Sequence, residues 1–269
     1  MKHNDEGKRD YYGTIFFSPE VEALADLEAV IGTPLPKLDT IEWGHTILGF
    51  SSREGHVIEL CIVGPRFLWA MQNTRRMEIL SKSIGKFKDL KVLSIRYTDI
   101  FDLPEEIGNL ATLEVLDLHD NNLSTLPENI GNLLSLHTLS IFDVHFQTLP
   151  ESIGELQALK NLSIYDTDED LFLPESLGQL QALEDLDIYN CFLKQLPESI
   201  GNLKSLKRLT LACNSLTRLP VSFANLKALE YLDISQNLFP EIPTFEGLDA
   251  LKKVDYMQCC QNHTTSKFF

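Results

Sequence analysis

The residue types best suited to chemistry in this 269-residue chain are a histidine and several aspartates between positions 117 and 143. His119 is close in sequence to Asp117 and Asp120, and Asp143 follows 23 residues after Asp120. A histidine among carboxylates could act as an acid–base pair or ligate a divalent metal. No Gly-rich phosphate loop, nucleophile elbow or His-Glu-x-x-His string accompanies them. We therefore expect polar contacts on a solvated surface, and we predict no catalytic residue and no enzyme.

A second acidic group alternates in the way that a calcium-binding loop begins: Asp166, Asp168 and Asp170. A helix-loop-helix calcium site requires Gly at its sixth position and Glu at its twelfth, where this chain has Leu171 and Leu177. That class of calcium site is excluded, and weak calcium binding at this loop remains an alternative.

The cysteines do not follow a pattern typical of metal sites or disulfide frameworks. They are Cys61, Cys191, Cys213, Cys259 and Cys260. The count is odd, and no spacing resembles a zinc knuckle or a disulfide-bonded repeat end. A zinc site between Cys191 and Cys213 is conceivable, but small side chains that fill equivalent positions are the simpler interpretation. We expect a reducing, cytoplasmic setting, no metal and no cofactor.

The net charge restricts the class of partner. The chain has 23 Lys and Arg against 39 Asp and Glu, which gives −16 at pH 7. Such a surface repels phosphate backbones and anionic lipid headgroups. The sequence has no apolar run of about 20 residues to span a membrane, and its first ten residues lack the apolar stretch of a secretory signal. We predict a protein partner with a basic surface, no nucleic acid and no membrane insertion.

Internal repeats indicate the elements that position these residues. The frame Leu-x-x-Leu-x-(Leu/Ile) begins at Leu90, Leu113, Leu136, Leu159, Leu183, Leu206 and Leu229. Successive starts are 23 residues apart, except for one interval of 24, and a further start at Leu251 follows after 22. Each unit then reaches a Leu-Pro or Ile-Pro pair, and most continue as Glu-(Ser/Asn/Glu)-(Ile/Leu)-Gly-x-Leu.

The spacing within one unit predicts a strand followed by a turn and a short helix. Leu209 and Leu211 alternate as strand residues that point to one side, and Asn214 then turns the chain. Pro220 suits the first position of the convex segment because it needs no amide partner there. Since no unit can bury its apolar edge alone, neighbouring units are expected to stack as a parallel sheet.

These repeats resemble the leucine-rich-repeat family, specifically its 23-residue intracellular class. The phrase Leu-Pro-Glu-Ser-Ile-Gly-Asn-Leu, at residues 196–203, is similar to that of the Ras-binding scaffold and the plant Ras-group-related members. The resemblance covers Leu90 to about Met257. It implies an α/β leucine-rich-repeat solenoid, a right-handed curved superhelix with a parallel concave sheet and short convex helices. It also implies protein binding by a non-enzymatic scaffold, although a shared fold does not carry a shared partner.

The residues outside the repeats are predicted to form caps, because terminal repeats expose an apolar face and a sheet edge. Ser18 is expected to be the N-cap of a helix that Gly32 stops, and residues 46–50 and 56–62 read as a hairpin. We assign residues 1–17 to a flexible segment, 18–89 to a helix–hairpin cap with a degenerate first repeat, 90–257 to the repeats and 258–269 to a tail. Around residues 65–77, Arg66, Arg75 and Arg76 form either a contact for an acidic partner or a solvated loop.

The outward positions of the strands predict a binding site. Phe142, Tyr165 and Tyr189 are expected one strand spacing apart, on the order of 5 Å. Exposed aromatic side chains favour an interface, and acidic neighbours favour a basic partner. The alternative is that these rings only stabilise adjacent strands. The predicted partner-binding residues are Arg96, Asp117, His119, Phe142, Asp143, Tyr165, Asp166, Asp187 and Tyr189.

The middle units also depart from the repeat pattern, which favours function there. The turn asparagine is kept at Asn121, Asn214 and Asn237 but replaced at Thr98, Val144 and Cys191, and the unit that starts at Leu159 has an extra residue. We predict a protein-interaction scaffold that uses the concave aromatic and acidic face. The alternatives are a structural or self-assembling solenoid and, in a third class, a hydrolase or metal enzyme built on His119.

Overall fold

A computed structural model describes residues 8–11, 13–41, 48–64 and 77–257. The chain divides into two compact units, residues 1–136 and 137–269, and each is described by itself. Arg66, Arg75 and Arg76, the last two cysteines and the tail 258–269 lie outside the described residues, so the predictions made for them stay predictions.

The first unit contains the N-terminal elements and the first repeats. Its elements are β1 (Lys8–Tyr11), β2 (Thr14–Phe17), α1 (Ser18–Ile31), β3 (Gly49–Arg53), β4 (His56–Val63), β5 (Val92–Arg96) and β6 (Val115–His119). Short 3-10 helices occupy Lys82–Lys86, Glu105–Asn109 and Glu128–Asn132. Strands β3 and β4 are antiparallel, whereas β4, β5 and β6 are parallel neighbours.

The segment before α1 differs from the prediction of a flexible segment over residues 1–17. Strands β1 and β2 form an antiparallel pair, with Lys8 opposite Phe17 and Tyr11 opposite Thr14. The reason is aromatic packing: Phe16 is fully buried, and its ring lies 6.3 Å from Tyr11 and 5.7 Å from Phe50 between ring centroids. These contacts join residues far apart in sequence, so no local pattern announced them.

Helix α1 is confirmed, with a correction at its start. Phe17 is the N-cap, Ser18 is already helical, and the Phe17 side chain supplies no capping hydrogen bond. Glu20 instead fixes this end, because its buried carboxylate accepts a 2.9 Å hydrogen bond from the Val57 amide. Gly32 ends the helix as predicted: its φ of 82° is left-handed, and its amide donates to the Glu28 carbonyl over 2.7 Å.

The predicted hairpin and degenerate first repeat are both present. Strands β3 and β4 pair around Arg53 and the following turn, and β4 then pairs in parallel with β5. Leu60 is aligned with Leu93, so β4 continues the parallel register of the repeats despite its longer spacing. The other edge of β3 is covered, since Phe50 exchanges backbone hydrogen bonds with Pro36 and Leu38 at 3.0 and 2.8 Å.

The second unit is a stack of parallel strands. Its elements are β7 (Thr138–Val144), β8 (Asn161–Thr167), β9 (Asp185–Tyr189), β10 (Arg208–Thr210), β11 (Tyr231–Asp233) and β12 (Lys253–Asp255). They pair in this order, each parallel to the next. Four 3-10 helices lie at Glu151–Glu155, Glu175–Gln179, Glu198–Asn202 and Val221–Asn225, so the predicted short helices are present in 3-10 form.

The glycine that follows Ile or Leu in the 3-10 helices is required by close packing between repeats. A Cβ on Gly178 would lie 2.4 Å from the Ser199 carbonyl oxygen, and one on Gly201 would lie 2.2 Å from that of Ser222. Real Cβ atoms do not approach oxygen that closely. The contact recurs for Gly85, Gly108 and Gly154 within their units. The close spacing of adjacent coils therefore explains why the sequence motif contains glycine at this position.

The turn asparagines bond to neighbouring turn backbones. Asn214 is buried, and its Oδ1 accepts hydrogen bonds from the Cys191 and Leu193 amides at 3.1 and 3.0 Å. Its Nδ2 donates to the carbonyls of Ile188 and Leu211 at 2.7 and 3.1 Å. Each such side chain thus links two coils within the core.

Candidate functional site

Three aromatic side chains line the open face of the second unit, which is the strand face opposite the leucine core. Phe142, Tyr165 and Tyr189 are aligned across β7, β8 and β9, and we call them the aromatic ladder. The first two rings stack, with centroids 4.3 Å apart and planes 7° apart. The Tyr165 and Tyr189 rings are 5.8 Å apart and tilted by 39°. Tyr189 is 37% exposed, so the ladder reaches solvent.

A carboxylate anchors the middle ring of the ladder. The Tyr165 hydroxyl donates a hydrogen bond to Asp187 Oδ2, while Asp187 Oδ1 is buried and accepts no hydrogen bond within the described part of the chain. Burial raises the pKa of Asp187, and the nearby Asp233 charge adds to the rise. Burial and the bond to Asp187 together raise the pKa of the Tyr165 phenol. The site is therefore electronegative and only partly solvated.

The acidic residues at and after the end of β8 do not converge on a cation. Asp166 accepts a 2.7 Å hydrogen bond from Asn190, Asp168 pairs with His145 at 2.7 Å, and Asp170 pairs with Lys194. Each carboxylate thus faces a different partner, unlike the ligands of a calcium site. Asp143 belongs to β7, but its side chain lies outside what the structure describes.

A second cluster on this open face was missed by the sequence analysis. Tyr231 lies between two cations, with Arg208 Cζ 4.8 Å and Lys253 Nζ 5.0 Å from its ring centroid. Its hydroxyl donates to Asp255 over 2.8 Å, and Arg208 pairs with Asp185 at 3.1 Å. The sequence does contain a signal for this cluster. Side chains alternate along a strand, so the residue directly before the second leucine of each Leu-x-x-Leu frame also points to the open face.

The predicted binding residues of the first unit form a polar network in which they bond to one another. Asp117 is only 5% exposed; its Oδ2 accepts a 2.8 Å hydrogen bond from Ser94 and lies 3.7 Å from Arg96 Nε, and its Oδ1 bonds to His119. Arg96 also reaches the Cys61 sulfur at 3.6 Å. These charges are compensated within the fold, so Asp117 mainly orders its neighbours.

This network lacks the Ser–His arrangement of a serine hydrolase. A serine nucleophile gives its proton to an imidazole, whereas the Ser94 hydroxyl donates to the Asp117 carboxylate. Burial raises the pKa of the Cys61 thiol and raises that of Cys191 to about 11, which opposes thiolate formation. Within the described ranges, no group of three or more His, Cys, Asp or Glu side chains is arranged to hold a metal ion.

The predicted binding residues thus fall into two groups. The structure brings Phe142, Tyr165, Tyr189 and Asp187 together in the second unit, and Asp166 directly follows Tyr165 in β8. Arg96, Asp117 and His119 are brought together in the first unit. Among the described residues, no helix combines the length and hydropathy needed to cross a bilayer.

Comparisons with known proteins agree with the repeat architecture. A family profile described as a leucine-rich repeat region matches residues 68–190, and a second, leucine rich repeat, matches residues 181–239 and 204–255. Among curated proteins, none matches the chain.

Solved structures are similar to the chain over most of its length. A leucine-rich-repeat protein of Leptospira interrogans is 32% identical with a TM-score of 0.67; the match covers 74% of this chain and 54% of that one. The plant peptide hormone receptor RGFR1 in complex with RGF2 is 27% identical with a TM-score of 0.62, covering 76% and 32%. The chain thus spans about half and about a third of these relatives.

Internalin C2 of Listeria monocytogenes shows the same fold alone, at 18% identity and a TM-score of 0.58 over 87% of this chain and 92% of that one. The two family profiles together extend over residues 68–255, and they coincide with the repeats seen in the structure. This chain belongs to the leucine-rich-repeat family.

Proposed function

We propose that this chain is a non-enzymatic interaction scaffold whose concave aromatic ladder binds a basic segment of a partner protein. Leucine-rich-repeat proteins generally mediate protein–protein interactions. The observation that carries the proposal is the row of stacked, partly exposed rings at Phe142, Tyr165 and Tyr189, because the hydrophobic core beneath it is already complete.

The ladder has the properties of an interface anchor. Aromatic side chains bring a large contact area with little conformational freedom, and they are enriched among residues that dominate binding energy. The stacking of Phe142 on Tyr165 and the bond from Tyr165 to Asp187 hold the rings in place before a partner arrives. A preorganised surface loses less entropy on binding than a mobile one.

The charge around the ladder favours a cationic partner. Asp187 has a buried oxygen without a hydrogen bond in the described part of the chain, and Asp233 lies near enough to raise the pKa of Asp187. A Lys or Arg of the partner is attracted by this negative potential and also contacts the ring faces. The net charge of −16 steers a basic segment toward the chain. The plant receptor neighbour, solved in complex with RGF2, supports a similar use of the fold.

The experiment compares the wild type with the triple variant Phe142→Ala/Tyr165→Ala/Tyr189→Ala. Peptides captured by the wild type from a random-sequence display library are sequenced, and their affinities are measured by calorimetry. We expect captured peptides to be rich in Lys and Arg. The triple variant should bind them at least 30-fold more weakly, because truncating an anchor costs about 2 kcal/mol or more.

The matched control is Phe192→Ala, which removes an aromatic ring of the same unit. Phe192 is 45% exposed, but it follows the end of β9 and is not part of the ladder. This control should bind the peptides as the wild type does. Equal affinities of the wild type and the triple variant would refute the assignment of the site, and selection of acidic peptides would refute the assigned partner class.

We also propose that the chain works in a reducing, cytoplasmic compartment and that its repeats are of the 23-residue intracellular class. The thiols of Cys191 and Cys213 support this, since neither is in a disulfide. Fractionation of the native cell followed by immunodetection tests the compartment, and recovery outside the cell would contradict it.

A further inference from the structure

Among the strands that the structure describes, β12 is the last of the second unit and has a neighbour on one side. Within the described residues, β12 pairs only with β11. Core positions that are fully buried in the preceding repeat, Leu232 and Ile234, become exposed in the last repeat: Val254 is half-buried and Tyr256 is 47% exposed. Met257, directly after, is 77% exposed. An apolar sheet edge of this kind is a template for another strand.

The backbone of β12 fixes which groups are available at this edge. The Lys253 amide donates to the Glu230 carbonyl over 3.2 Å, and the carbonyl of Asp255 accepts from the Ile234 amide at 2.8 Å. Alternate residues of a strand direct their polar backbone groups to opposite sides. The amide and carbonyl of Val254 therefore point away from β11.

We propose that β12 pairs with β12 of a second copy of this chain, antiparallel, about a two-fold axis at Val254. In this register Val254 and Val254 of the partner subunit exchange two backbone hydrogen bonds, as in a hydrogen-bonded antiparallel pair. Their side chains lie on the core face, so the two apolar edges meet. The interface is isologous, because the same strand contributes on both sides.

Charge complementarity favours this occupant and this register. Lys253 and Asp255 both lie on the open face, where they form an ion pair at 2.8 Å. A two-fold axis at Val254 places Lys253 opposite Asp255 of the partner subunit. By symmetry, Asp255 lies opposite Lys253 of the partner subunit. An axis at Lys253 or at Asp255 would instead place like charges opposite each other, which destabilises antiparallel strands. The three-residue strand is thus self-complementary in one register.

Molar mass as a function of concentration tests the proposal. Sedimentation equilibrium of the full chain, with a reductant to keep thiols from linking chains, should show a monomer–dimer equilibrium. Lys253→Asp places two aspartates opposite each other at each contact and should weaken the dimer at least tenfold. The double exchange Lys253→Asp/Asp255→Lys should restore it, because the opposite charges are again matched. Lys194→Asp makes the same charge change away from β12 and should dimerise as the wild type does.

A backbone variant tests the strand pairing independently of charge. Val254→Pro removes an amide that β11 does not use, so far-UV circular dichroism should remain that of the wild type while the dimer is lost. A wild type that is monomeric at every concentration overturns the proposal. A dimer that persists in both Lys253→Asp and Val254→Pro also overturns it, since assembly then uses another surface, such as residues 258–269. Failure of the double exchange to restore the dimer overturns the register. None of these outcomes affects the test of the aromatic ladder.

Discussion

Replacing Asn214 by alanine should destabilise the second unit more than any other single polar truncation in its turns. Asn214 is 6% exposed and uses both ends of its amide. Its Oδ1 is the acceptor for the Cys191 and Leu193 amides, at 3.1 and 3.0 Å, on the preceding coil. Its Nδ2 has three carbonyl acceptors, at Ile188, Leu211 and Ala212. One side chain therefore satisfies backbone groups of two adjacent turns.

The magnitude follows from the two amides that lose their acceptor. A buried donor left without a partner costs about 1–3 kcal/mol. Two such donors give about 2–6 kcal/mol for Asn214→Ala. Carbonyl oxygens tolerate a lost donor better, because each has two lone pairs and the Ala212 carbonyl also accepts from the Asn190 amide. The loss of the amides should thus account for most of the effect.

Urea denaturation followed by far-UV circular dichroism measures this change in the free energy of unfolding. The matched control is Asn225→Ala, an exposed asparagine at the end of a 3-10 helix in the same unit, which should change stability by no more than about 0.5 kcal/mol. If Asn214→Ala is no more destabilising than Asn225→Ala, the asparagine does not link the coils as described.

Two further predictions concern packing and protonation. Gly178→Ala should lower the free energy of unfolding by about 1–3 kcal/mol in the same urea assay, because the new Cβ meets the Ser199 carbonyl oxygen at 2.4 Å; an unchanged stability would refute the close contact. Burial holds the pKa of Asp187 above its ordinary value, so the folded state binds this proton more tightly and stability should fall as pH rises above about 4. Asp187→Asn should flatten that part of the pH–stability curve, and an unaltered slope would contradict the raised pKa.

Most of the fold could be predicted from the repeat frame, because this frame is local in sequence and periodic. Leucines every 23 residues determine which side chains share a strand position, and the structure aligns Phe142, Tyr165 and Tyr189 as that frame predicts. Even the irregular first repeat was recognisable, since three apolar positions of β4 match the frame. Stacking of the rings could be anticipated for the same reason, although the tilt between the last two could not.

Features that depend on contacts between distant residues were not visible in the sequence. The strands β1 and β2 form because Phe16 packs on Phe50, some 34 positions later. The sequence places Asp117 on the open face, but in the structure Asp117 is buried and its carboxylate already contacts Arg96 and Ser94. A sequence shows that charged residues share a face, whereas only coordinates show which of them neutralise one another.

The glycine contacts between coils have a consequence for how such an array changes length. In each repeat with a Ser-Ile-Gly segment, the serine packs on the glycine of the preceding unit and the glycine packs on the next unit. A duplicated copy inserted at Gly201 would therefore find matching neighbours on both sides. The following unit has Ala224 at this place, and no 3-10 helix lies between β11 and β12. Growth by duplication is thus compatible with the repeats that carry this glycine.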